Sequence, residues 1–228
     1  MRSRQPSGSK GSLKWMQLTV EQRWCDLEAA ILRPLRATTL DWLSPVSKDD
    51  FAEYRDATFL ARIGHAELAP ALAEFWPNRG PQWDGLARTE KGQIVLVEAK
   101  AHIGELYSPP SQAGAESLAK IHRALDQTSH ALGVDPSHRQ DWHRHFYQYA
   151  NRLAHLYWLR RNGVDASLVL IGFVDDHKMP GKTTPEAWKA AYHLADRVLG
   201  LKSQHALSRH IVHVDPSVIG RAAMSRSA

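Results

Sequence analysis

The sequence is short of several things, and each shortage closes a class of function. It has a single cysteine, Cys25, among 228 residues. One thiol cannot build an internal disulfide framework or a cysteine-rich metal centre. Cys25 lies in an amphipathic stretch, which suits a small core residue better than a nucleophile. No apolar run approaches the ~20 residues needed to cross a bilayer, so no membrane partner is expected. The opening stretch MRSRQPSGSKGS is basic and polar and lacks the apolar centre of a secretion signal. A cytoplasmic location is the resulting expectation. Acids are missing from both ends. Residues 1–14 carry Arg2, Arg4, Lys10 and Lys14 with no Asp or Glu, and residues 221–228 carry Arg221 and Arg226 with none. The net charge of +5 therefore resides in the tails, and the body between them stands at −1. A basic total is usually weak support for a nucleic-acid partner; charge on flexible arms supports only non-specific phosphate contact.

Two chemical signatures are also missing. There are 13 histidines but no H-E-x-x-H. His143 and His145 are two apart and cannot share a helix face, and His145 and His155 are ten apart, too far to chelate one ion. The stretch PGKTT at 180–184 would need a glycine at 176 to complete a phosphate-binding loop, and Asp176 stands there. Helix capping explains that stretch better.

What is present is ordinary for a globular protein: 43% apolar and 23% charged residues, enough for one domain with a real core. Residues 1–14 read as a disordered basic tail, 15–220 as a single domain with an N-terminal helical region, and 221–228 as a second flexible tail. Apolar spacing predicts helices over 17–32, 50–63 and 65–76. In the second, Phe51, Tyr54, Thr58 and Ala61 fall at helical spacing behind a Ser47 or Asp49 cap. Strands are predicted over 82–88 and 93–100, joined by the loop TEKGQ. Helices follow over 115–132 and 139–162, then a strand over 167–174. Thr184-Pro185-Glu186 opens a helix over 185–199, and a short strand spans 210–214. This order describes an α/β fold, a central mixed sheet covered by helices on both faces. Strands 93–99 and 168–174 are apolar on both sides, which suits central positions.

The chemistry concentrates at the end of the hairpin. Side chains alternate along a strand, so Glu98 and Lys100 share a face and Ala99 points away. A symmetric hairpin about Lys91 pairs Arg88 with Ile94, Leu86 with Leu96, and Asp84 with Glu98. Opposed residues have Cβ atoms about 5 Å apart. Asp84, Glu98 and Lys100 then converge, and a one-residue slip would send Asp84 to the other face. Two opposed carboxylates repel unless something compensates. Mg²⁺ is such a remedy, because it takes oxygen ligands from one or two carboxylates and water. A bound metal of this kind activates water and polarises a phosphoryl oxygen. The Lys100 amine can orient that water or stabilise growing negative charge.

At these residues the chain resembles the PD-(D/E)xK phosphodiesterase superfamily, the restriction-endonuclease-like nucleases. Asp84 fits the aspartate of the motif, and Glu98-Ala99-Lys100 fits its E-x-K half. Trp83 precedes Asp84, with Pro81 further back. The resemblance implies a restriction-endonuclease-like core, Mg²⁺ (with Mn²⁺ as a substitute) held by Asp84 and Glu98, and hydrolysis of nucleic acid, DNA in the first place. It also implies that a homodimer could form, since many such nucleases pair to cut both strands. Members of the superfamily often supply a further acid from an earlier helix; Glu53, Glu67 and Glu74 are the candidates, with Glu67 preferred. Some carry a glutamine followed four residues later by a tyrosine. Gln148 matches the first, while Arg152 stands at the second. Other members have lost activity, so a silent nucleic-acid-binding or protein-interaction module on the same fold is the alternative. His102 and Glu105 follow the hairpin and read as loop caps.

Overall fold

The computed structural model describes residues 1–181 and 183–221. In chain order its elements are β1 (Arg2–Ser3), α1 (Gly11–Gln22), α2 (Cys25–Leu35), β2 (Leu40–Ser44), β3 (Glu53–Tyr54), α3 (Asp56–Arg62), α4 (Ala69–Phe75), β4 (Gly85–Thr89), β5 (Ile94–Lys100), α5 (Ala115–Ala131), α6 (Asp141–Arg144), α7 (Tyr147–Arg161), β6 (Ala166–Gly172), α8 (Pro185–Val198) and β7 (Ile211–Val214). Five strands form a mixed sheet in the order β2-β4-β5-β6-β7. β4 runs antiparallel to both of its neighbours, β2 and β5; β5, β6 and β7 run parallel.

Alternation along β5 divides the core into two layers. Val95, Val97 and Ala99, with Val169, Ile171, Val212 and Val214, pack under α1 and α2. Ile94 and Leu96, with Leu168 and Leu170, pack under the layer that includes α3, α5, α7 and α8. Glu98 and Lys100 continue the second row, so they face α7 at the C-terminal end of the parallel strands. β5 and β6 are buried along their whole length, as their unbroken apolar character requires. α8 starts as its sequence dictates: the Thr184 hydroxyl accepts the Ala187 N–H at 3.2 Å, and Pro185 occupies the first turn. It lies so close to the sheet that a Cβ on Gly172 would meet the Trp188 ring at 2.6 Å.

Several local expectations are corrected. The N-terminal fourteen residues are not a free tail: β1 pairs with β3, and α1 begins at Gly11. The expected flexible tail over 221–228 lies outside the described residues except for Arg221, whose guanidinium meets Asp26. The helix expected over 17–32 is two helices, because Arg23 adopts a left-handed conformation at φ 51°. The helix expected over 50–63 starts only at Asp56, since Asp50 and Phe51 both have positive φ. It buries Phe59 and Leu60 instead of the face carrying Thr58 and Ala61. The helix expected over 139–162 breaks at Phe146, φ 50°, into α6 and α7. β2 went unforeseen, although Leu40, Trp42 and Ser44 alternate inward as an edge strand should. Cys25 is exposed, not a core residue. Among the described residues no helix is long and apolar enough to cross a membrane.

Candidate active site

Two of the expected hairpin pairs form, Arg88 with Ile94 and Leu86 with Leu96, and the third, Asp84 with Glu98, does not. Regular pairing stops at Gly85–Val97, one step before Asp84. Trp83 has turned to pair with Tyr54 instead. Asp84 is nevertheless tied to β5, because its Oδ2 accepts the Ala99 N–H at 2.8 Å. The carboxylate thus sits at the backbone between Glu98 and Lys100.

Glu98 is buried and held by two cations. Its Oε1 accepts from the Lys100 ammonium at 2.8 Å and its Oε2 from Arg152 Nε at 2.5 Å. Burial pushes the Glu98 carboxyl up, but Arg152 and Lys100 together outweigh it and hold the group below its ordinary value. Asp84 has no such escort. Burial first, then the charges of Glu98 and Glu53, push it up to about 8. Glu53, on β3, is also buried and raised, by burial and then by Glu98, even though amides of Gln82 (2.5 Å) and Gln5 (3.0 Å) donate to its Oε2. Three carboxylates therefore share one region, and their mutual repulsion is concentrated on Asp84.

Helix α7 supplies the other wall. Gln148 and Arg152 are four apart, so they share a face one turn from each other. Gln148 Oε1 accepts from Lys100 Nζ at 3.0 Å. The turn carrying Gln148 is pinned by the Ser108 hydroxyl, which accepts the Gln148 N–H at 2.8 Å. Arg152 also donates to the Gln82 carbonyl at 2.9 Å and lies 4.9 Å from the Trp83 ring centre, a cation–π contact. Its guanidinium thus joins α7 to β5 and to the segment that carries Asp84.

The structure brings Asp84, Glu98 and Lys100 together. Among the earlier acids it places Glu53 in the cluster, not the preferred Glu67. Glu67 is exposed against His65, and Glu74 is exposed as well. Gln148 joins the cluster. Reasoning from the sequence misses Arg152, Gln82 and Gln5. Arg152 had one usable signal, its place one turn beyond Gln148. Gln5 had none, because its contact depends on β1 folding back 48 residues along the chain. His102 and Glu105 do cap the loop: Nε2 and Oε1 are 3.4 Å apart, and Glu105 accepts the Ala101 N–H at 3.3 Å.

The donor set consists of oxygens, as a hard divalent cation requires. Among the described residues only one oxygen of Asp84 has a protein donor. Burial and the neighbouring carboxylates raise its pKa even though the Lys100 charge opposes them. Among the described residues no three His, Cys, Asp or Glu side chains are placed to hold a metal ion together. Both Glu98 oxygens already accept from Lys100 and Arg152, so a cation here would compete with those two side chains. No family model, curated protein or solved structure matches the chain.

Proposed function

We propose that the protein is a metal-dependent nuclease with a restriction-endonuclease-like core, hydrolysing phosphodiester bonds of nucleic acid, with DNA as its first substrate. The observation that carries the proposal is the convergence of Asp84, Glu98 and Lys100 at one strand end, with one Asp84 oxygen free of protein donors among the described residues. Asp84 and Glu98 would hold the cation. When bound, that cation supplies an activated water and Lewis-acid polarisation of the phosphate. Lys100 orients the water or stabilises charge on the phosphate oxygens, and Gln148 fixes the amine for that task. Arg152 keeps Glu98 ionised and in place.

Incubation with plasmid and linear DNA in Mg²⁺ or Mn²⁺ tests the proposal. Wild type cleaves and Lys100→Ala does not; equal background cleavage by both defeats it.

One observation favours a second reading. Both oxygens of Glu98 are already satisfied by cations within the fold, which is what a silent binding or interaction module would show. Calorimetry with Mn²⁺ separates the two. Heat that disappears in Asp84→Asn supports the nuclease, and no heat from wild type supports the silent module.

A further inference from the structure

The sheet end that carries Glu98 also borders a cavity of about 1250 Å³, formed by α8, the ends of β7 and the turns at Gly133 and Gly200. Glu98 aligns with Leu170 and Leu170 with His213, so Glu98 and His213 share a face two strands apart. That separation is about 10 Å, comparable with the rise of three stacked nucleotides at ~3.4 Å each.

Aromatic side chains build the floor. Tyr192 lies 6.1 Å from Trp188 and 4.7 Å from His213, centre to centre. Tyr192 is only 4% exposed, and its hydroxyl has no hydrogen-bond partner among the described residues. That hydroxyl is sealed from solvent, so a ligand in the cavity meets the ring of Tyr192 and not its oxygen. Burial first, then Glu98, Asp215, Asp196 and Asp84, hold that hydroxyl well above its ordinary range. Tyr192 therefore stands between the carboxylate cluster and the cavity.

The walls carry both signs of charge. Lys189, Arg197 and Lys202 line the space and are exposed. Among the described residues none of them forms an ion pair. Four acids also line the cavity, Asp135, Glu186, Asp196 and Asp215, and hydrogen bonds hold Asp135 and Glu186 below their ordinary range. Asp135 accepts from the Ser137 N–H and hydroxyl, Asp196 accepts from the Tyr149 hydroxyl at 3.0 Å, and burial followed by Glu186 raises Asp215 to about 6. Unpaired cations call for an anion. The aromatic floor and the remaining carboxylate acceptors call for a planar group bearing N–H donors. The volume exceeds the ~300–1,000 Å³ of typical small-ligand sites, which is far more than a simple anion needs.

We propose that this cavity binds a nucleoside-phosphate portion of a nucleic-acid strand beside the scissile bond. Lys189, Arg197 and Lys202 take the phosphate, Tyr192 and His213 take the base and sugar, and the acids receive base N–H groups. The assignment of the strand rests on the nuclease reading; the binding of the nucleotide does not.

The test is calorimetry on the full chain without divalent cations, titrating deoxyadenosine 5′-monophosphate, deoxyadenosine and inorganic phosphate separately. The nucleotide binds at least tenfold more tightly than either fragment. The double variant Lys189→Ala, Arg197→Ala loses at least tenfold of that affinity, and both positions are exposed, so folding is preserved. Phosphate binding as tightly as the nucleotide, no binding by wild type, or full binding by the double variant overturns the site. Nucleotide binding without any DNA cleavage leaves the site standing and removes the nuclease reading.

Discussion

Replacing Asp84 with Asn tests the crowding of carboxylates directly. The amide keeps an oxygen to accept the Ala99 N–H at 2.8 Å, so the shape of the site survives while the charge goes. Asp84 is raised from 3.8 to about 8. In the unfolded chain it ionises at about pH 4, while in the folded protein it holds its proton until about pH 8. The folded state thus binds the extra proton between those limits, and stability must fall as pH rises through that window. At about 1.4 kcal/mol per unit the ceiling is about 6 kcal/mol. Asp84 is partly exposed, and solvent screening brings the expected penalty to about 2 kcal/mol. Urea unfolding at pH 5 and pH 9 measures it. Asp84→Asn is close to wild type at pH 5 and about 2 kcal/mol more stable at pH 9. A variant equal to or weaker than wild type at pH 9 would show that Asp84 is not under electrostatic load.

Arg152→Ala leaves Glu98 buried with one cation instead of two. It should cost about 3–5 kcal/mol in urea unfolding, and a loss under about 1 kcal/mol would mean the pair contributes only as a surface bridge does. Gln148→Leu frees the Lys100 amine and should lower DNA cleavage about 10–100-fold with little change in unfolding free energy; unchanged cleavage would remove Gln148 from the site. Gly172→Ala brings a methyl group to 2.6 Å from the Trp188 ring, too close for either to stay in place, and should cost about 1–3 kcal/mol by thermal unfolding; an unchanged melting temperature would show that α8 can slide.

Much of the fold could be read from short-range pattern. The Gly and Thr turn signals around TEKGQ set the hairpin, and its register follows from the period of two, so Leu86 meets Leu96 as expected. Thr184-Pro185 fixed the start of α8 because capping is local. The errors have a common cause. Arg23, Phe51 and Phe146 adopt positive φ, a conformation that residues with a Cβ hold only when tertiary packing keeps them there. Helical periodicity runs straight through such points, so it predicts unbroken helices where the chain turns.

The candidate site divides along the same line. Asp84, Glu98 and Lys100 lie within 17 residues; strand alternation puts Glu98 and Lys100 on one face, while Asp84, one step beyond the paired part of β4, joins them by accepting the Ala99 N–H. Glu53, Gln148 and Arg152 come from distant elements, and only the packing of β3 and α7 against the end of β5 selects them over Glu67 and Glu74. The charge balance also belongs to the assembled protein. In sequence the two acids are equivalent, but Arg152 and Lys100 reach Glu98 while Asp84 receives only a backbone N–H, and that difference in partners sets their pKa values apart.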